Sequence, residues 1–143
     1  MPPTTILYTA EALSTGAGRD GHVRTTDGRV DLDMAVPVPM GGSGNGANPE
    51  ELFAAGYSAC FHSALLAVAR AQHVTLTDET VGARVHIGPN GQGGFQLAVE
   101  LEVTIPNLPH DQAQALADAA HQVCPYSNAT RGNIDVKVSV VDD

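Results

Sequence analysis

Residues 49–72 constrain the fold more than any other stretch of this sequence. Asn48-Pro49-Glu50-Glu51 combines a capping side chain, a proline suited to the first helical position and two acids facing the positive end of a helix. A helix is predicted from Pro49 to about Gln72. Its apolar residues, Leu52, Phe53, Tyr57, Phe61, Leu65, Leu66 and Val68 with many alanines between them, go most of the way round, the pattern of a buried helix. The segment is near the length of a membrane span. Ser58, His62 and Ser63 interrupt it and strand-rich sequence surrounds it, so no membrane partner is expected.

The rest of the chain has to cover that helix. Residues 4–12 alternate through Ile6, Tyr8, Ala10 and Ala12, and residues 29–36 through Val30, Leu32, Met34 and Val36, the period of half-buried strands. A short strand is predicted over His22–Thr26, followed by the turn dipeptide Asp27-Gly28. The glycine- and proline-rich run 37–48 is expected to hold no regular element. Val81–Ile87 and Phe95–Ile105 form a second hairpin across Pro89–Gly94. Helical spacing then runs from near Pro109 to Cys124-Pro125, and a last strand covers Ile134–Val141. Strands, long helix, hairpin, helix and strand in that order indicate an α+β fold with antiparallel pairing rather than repeating βαβ units. At 143 residues the chain is expected to be one domain, 1–143.

Sixteen acidic residues against seven basic ones leave a net charge of −9, which repels phosphate backbones, so no nucleic-acid partner is expected. Met-Pro-Pro-Thr-Thr at the start has no basic region and no apolar run, and the expected location is the cytoplasm. Two cysteines, Cys60 and Cys124, are too few for the disulfide framework of a secreted scaffold; in a reducing compartment a bridge between them is transient or catalytic.

Cys60 has two readings. It is either a small apolar residue of the core or a nucleophile, and the second needs a thiolate, which burial disfavours. A cation must then be brought to it. Cys60 lies about a dozen residues past the helix cap, roughly 18 Å at ~1.5 Å per residue, too far for the positive end of its own helix. The cation therefore has to be a side chain, and Arg19 and Arg131 lie in glycine-containing loops that could fold over a cleft.

Asn-Pro-Glu-Glu-Leu-Phe-Ala-Ala-Gly-Tyr-Ser-Ala-Cys-Phe at 48–61 resembles the signature around the peroxidatic cysteine of the organic hydroperoxide resistance (Ohr) proteins, of the Ohr/OsmC family. Val-Cys-Pro-Tyr-Ser-Asn-Ala-Thr-Arg-Gly-Asn-Ile-Asp-Val at 123–136 resembles the segment around the resolving cysteine, and the Gly-Arg-Asp-Gly loop at 18–21 is similar as well. The likeness covers nearly the whole chain; Ala47, just ahead of the first motif, departs from it.

The resemblance implies an OsmC-like fold in an intertwined homodimer and a thiol peroxidase acting on alkyl or lipid hydroperoxides. Cys60 would become a sulfenic acid, and Cys124 would convert it to a disulfide before further oxidation. Arg19 would stabilise the thiolate and the departing alkoxide, with Glu50 holding Arg19 by a bidentate pair; Glu51 fits better as a helix-dipole acid. No bound cofactor is implied: the external reductant would be dihydrolipoamide or a lipoylated protein, served by dihydrolipoamide dehydrogenase. Phe53, Tyr57, Phe61 and Tyr126 either line an apolar entrance for the substrate or pack in the core.

Ten residues of straight helix separate Glu50 from Cys60 by roughly 15 Å. Either the helix breaks near Gly56, or Arg19 and Glu50 reach Cys60 from a second copy of the chain, the preferred alternative. Three competing readings remain. A zinc site from Cys60, His62, His121 and Cys124 is disfavoured because residues two apart on a helix face different ways. The sister OsmC branch shares both cysteines, and a non-catalytic redox sensor would use the disulfide without turnover.

Overall fold

The computed structural model describes residues 2–142, which pack as two compact units divided between Pro49 and Glu50. In the first unit β1 (Ala12–Thr15), β2 (His22–Thr25) and β3 (Asp31–Asp33) form an antiparallel sheet in the order β1-β2-β3. Asp27-Gly28 lies in the β2–β3 turn as expected, with Gly28 at φ 74°. The β1–β2 connection folds into a 3-10 turn, Gly18–Asp20, that carries Arg19. Only a glycine fits after it: a Cβ on Gly21 would lie 2.2 Å from the Thr15 carbonyl oxygen. Asp20 Oδ1 accepts the Val36 N–H at 2.9 Å and fixes the turn to the chain beyond β3.

Two local expectations fail in this unit. Residues 5–11 form no strand, and Ile6, Leu7 and Tyr8 are 72%, 94% and 77% exposed. Alternation records what a strand would bury if a partner lay beside it, and β1 begins its ladder with β2 only at Ala12. In the connector, Val38–Met40 does make a 3-10 turn. Its prolines are pre-set near the right φ, and Gly41 closes it in the left-handed region at φ 91°.

The second unit begins on α1 (Pro49–Ala71), within a residue of the bounds predicted. It is followed by β4 (Thr80–Pro89), β5 (Phe95–Thr104), α2 (His110–Val123), α3 (Pro125–Thr130) and β6 (Val136–Val140). α1 ends in a Schellman arrangement: Val74 N–H donates to Ala69 and His73 N–H to Arg70, with His73 left-handed at φ 58°. β4 and β5 pair antiparallel as predicted, whereas β6 lies parallel to β5. The reason is the connection, since α2 and α3 carry the chain back to the start of the sheet, the crossover a parallel neighbour requires.

The core joins Tyr57, Phe61 and Leu65 of α1 to Val99, Leu101 and Val103 of β5 and to Leu116, Ala117 and Ala120 of α2. Burying each large side chain contributes about 1.5–3 kcal/mol. Within the unit α1 turns one stripe inward, while Leu66 on another side stays 37% exposed. By length and hydropathy α1 could also cross a membrane.

Candidate active site

Cys60 sits in the middle of α1 and Cys124 at the junction of α2 and α3. Pro125 forces the junction. The residue before a proline is driven out of the helical region, and Cys124 is extended at φ −63°, ψ 124°, so α2 must stop there. Proline is also well suited to begin a helix, and α3 starts on it. This helix escaped the sequence reading, which took Pro125 only as a stop; six residues are too few to show a period.

The bend brings two sulfurs together. Both cysteines are free thiols, Cys124 is fully buried and Cys60 partly so, and their Sγ atoms are 3.4 Å apart with Cys124 donating. Closing to the bond length of about 2.05 Å would take a shift of only about 1.4 Å. Burial pushes the Cys60 thiol up, the Tyr126 backbone N–H hydrogen-bonded to its sulfur pulls it down, and neighbouring Cys124 adds to the rise. A donor from the first turn of α3 was not foreseen from sequence, where only a side chain was considered.

Tyr126 lies over α1 because Gly56 leaves room for it. A Cβ at Gly56 would come within 3.0 Å of Tyr126 Oη and 3.2 Å of its ring edge. Phe53, Tyr57 and Tyr126 form a mutual aromatic cluster with centroids 5.6–5.7 Å apart. Tyr57 and Phe61 are fully buried, which makes both of them core residues rather than an entrance. Phe53 and Tyr126 keep exposed surface, and Phe53 borders a cavity of about 520 Å³ with Phe95, Leu97 and Ile134.

Arg19 is half-buried in its turn in the first unit, and Glu50 is half-buried in the first turn of α1. α1 runs without a break through Gly56, which removes one of the two alternatives for Glu50: about 15 Å of straight helix lies between it and Cys60. Arg131 donates to Asn128 Oδ1 at 2.7 Å and to the His121 carbonyl, tying α2 to α3.

The two histidines near the cysteines in sequence point elsewhere. His121 Nδ1 meets Ser127 Oγ at 2.7 Å, and burial followed by the Arg131 charge holds its imidazole below the usual range, hence neutral near pH 7. His62 Nε2 lies 2.8 Å from Glu79 Oε2, and that hydrogen bond, outweighing burial, holds the Glu79 carboxyl below the usual glutamate range. A depressed carboxyl stabilises the fold above its unfolded pKa, about 4.3, and stops doing so as pH falls through the folded value. Glu79→Gln is therefore expected to cost about 1–2 kcal/mol in urea unfolding at neutral pH. The gap from wild type should close as the pH drops below about 4; a gap of constant size would assign the loss to packing.

Sequence reasoning gave no role to the Tyr126 N–H, Ser127 or Thr130, and Gly56 entered it only as a candidate break in the helix. One signal was available for the hydroxyls. Tyr57 on a buried helix must find a partner for its oxygen, and the Tyr-Ser-Asn-Ala-Thr run after Cys124 supplies two, Ser127 Oγ at 2.8 Å and Thr130 Oγ1 at 3.2 Å.

Comparison with known proteins matches this arrangement to one family. The model of the OsmC-like proteins matches residues 42–139. The organic hydroperoxide resistance protein of Xanthomonas axonopodis pv. citri is 47% identical over 140 residues, 96% of this chain and 97% of its own. Among solved structures, an organic hydroperoxide resistance protein from Legionella pneumophila superposes with a TM-score of 0.91 at 50% identity, covering 95% of this chain and 98% of that one. One from Elizabethkingia anophelis gives 0.92 at 49% identity, covering 98% and 100%. The α+β fold read from the sequence is the fold of these structures, and the chain belongs to the organic hydroperoxide resistance proteins of the OsmC-like family.

Proposed function

We propose that the chain is a thiol peroxidase that reduces organic hydroperoxides to alcohols, with Cys60 as nucleophile and Cys124 as resolving thiol. The observation that carries this reading is the 3.4 Å approach of two free thiols from distant parts of the chain, one buried and one reachable. The Cys60 thiolate attacks the terminal peroxide oxygen, the O–O bond breaks, and the alkoxide leaves and takes a proton. Cys124 then displaces the hydroxyl of the Cys60 sulfenic acid as water, forming a disulfide.

A lipoyl dithiol, as dihydrolipoamide or a lipoylated protein recharged by dihydrolipoamide dehydrogenase, reduces that disulfide from outside, and no bound cofactor takes part. Because burial raises the Cys60 thiol, a cation is needed, and Arg19 supplies it with Glu50 holding the guanidinium. The unbroken α1 favours their arrival from a second copy of the chain. Exposed Ile6, Leu7, Tyr8 and Leu66 give a homodimer apolar surface to bury. Phe53 and Tyr126 flank the approach to Cys60 and favour an apolar alkyl group. Two cysteines and an excess of acids fit the cytoplasm and oppose binding to nucleic acid.

The test is turnover. With dihydrolipoamide and its dehydrogenase in excess, each chain is expected to consume many equivalents of cumene hydroperoxide. Consumption that stops at one equivalent per chain would make the protein a redox sensor and end the peroxidase reading.

A further inference from the structure

Cys124 meets Cys60 only while the turn that carries it is held against α1, and the side chains holding it take no part in the peroxide step. Ser127, fully buried on α3, bridges two other helices through one oxygen: Oγ lies 2.8 Å from Tyr57 Oη of α1 and 2.7 Å from His121 Nδ1 of α2. Tyr57 Oη also meets Thr130 Oγ1 at 3.2 Å, and Thr130 donates to the Ser127 carbonyl at 3.2 Å.

One assignment of protons satisfies all four bonds. A carbonyl only accepts, so Thr130 has spent its proton on Ser127 and Tyr57 must donate to Thr130. Tyr57 then accepts from Ser127, and Ser127 accepts from His121, whose proton is on Nδ1. The chain of donors runs His121, Ser127, Tyr57, Thr130, back to the α3 backbone.

We propose that Ser127, supported by Tyr57 and His121, is a positioning residue for disulfide formation: the relay across α1, α2 and α3 locks the Cys124–Tyr126 turn so that the Cys124 sulfur stays within reach of Cys60. This rests on the peroxidase reading above. The step it governs is attack of the Cys124 thiol sulfur on the Cys60 sulfenic sulfur. The S–S bond forms, the S–O bond breaks, and the thiol proton leaves with the hydroxide as water. The competing step is attack of the sulfenate on a second hydroperoxide, which gives Cys60 sulfinic acid and another alcohol. Loosening α3 slows the first step and changes the second little, because the second does not need the Cys124 sulfur in place.

Three variants separate position from general damage: Ser127→Ala, His121→Leu, which removes the donor, and His121→Asn, whose side-chain amide offers an N–H close to where Nδ1 stood. Stopped-flow mixing of reduced protein with limiting cumene hydroperoxide reads the rate of attack; thiol quenching and intact mass, after mixing with several equivalents of hydroperoxide per chain, read disulfide and sulfinic acid. In Ser127→Ala and His121→Leu the disulfide should form about tenfold more slowly, the factor expected when a buried hydrogen bond is lost. Sulfinic acid should accumulate, attack should stay within about threefold of wild type because the Tyr126 N–H is one of several influences on Cys60, and His121→Asn should resemble wild type.

The proposal is overturned if folded Ser127→Ala and His121→Leu form the disulfide at the wild-type rate, if His121→Asn is as slow as His121→Leu, or if attack and resolution slow in the same ratio. Should Ser127→Ala fail to fold, Tyr57→Phe removes the α1 end of the relay, and the same disulfide rate and sulfinic yield decide. A wild-type protein that forms no Cys60–Cys124 disulfide would sink the peroxidase reading itself, a different outcome from any of these.

Discussion

Cys60→Ser is expected to lose hydroperoxide consumption by at least about a thousandfold, the scale on which removal of a nucleophile acts. Serine places an oxygen where the sulfur was and disturbs little of α1, because Cys60 lies at the margin of the core rather than within it. Its hydroxyl does not ionise near neutral pH and has no sulfenic state, so neither attack nor resolution can occur. Hydroperoxide loss under excess lipoyl reductant measures it. Retention of even a tenth of wild-type turnover would mean that Cys60 is not the nucleophile, whatever its distance from Cys124.

Cys124→Ser should behave differently in time. The first equivalent of hydroperoxide should disappear at close to the wild-type rate, since Cys60 and the Tyr126 N–H are both still in place. Turnover should then fall roughly a hundredfold, because an intramolecular thiol held in contact outcompetes any dithiol arriving from solution. Mass analysis should find Cys60 as sulfinic acid in proportion to the peroxide supplied. Cys124 is fully buried, so a serine hydroxyl there risks about 1–3 kcal/mol of unmet hydrogen bonding; Cys124→Ala, apolar and smaller, is the matched control. An equal loss of the first turnover in Cys124→Ala and in Cys60→Ser would reverse or merge the roles assigned to the two sulfurs.

Much of the scaffold was legible because its signals are local. α1 came out within a residue of its predicted ends, since the Asn48-Pro49-Glu50-Glu51 start and the long apolar run both act over one or two turns. The β4–β5 hairpin and α2 followed from period and from the proline at each end of the helix. What failed was pairing. The alternation of residues 4–12 has no partner strand before Ala12, and β6 joins β5 in parallel although its own residues carry no mark of direction. The apolar circumference of α1 likewise did not reveal that Tyr57 and Phe61 would be sealed while Leu66 stayed open.

The order of periodic segments determined the α+β class, and the two cysteine motifs determined the family, the element that carries each sulfur and the chemistry to test. They could not determine that Cys60 and Cys124 lie 3.4 Å apart, that a backbone N–H of α3 reaches the Cys60 sulfur, or that one serine oxygen ties three helices beneath the pair. The division has a physical cause. Helix starts, stops and periods are set by neighbours within a few residues, whereas a contact between groups remote along the chain exists only once the core has brought their helices together, and its distance depends on every side chain packed between them.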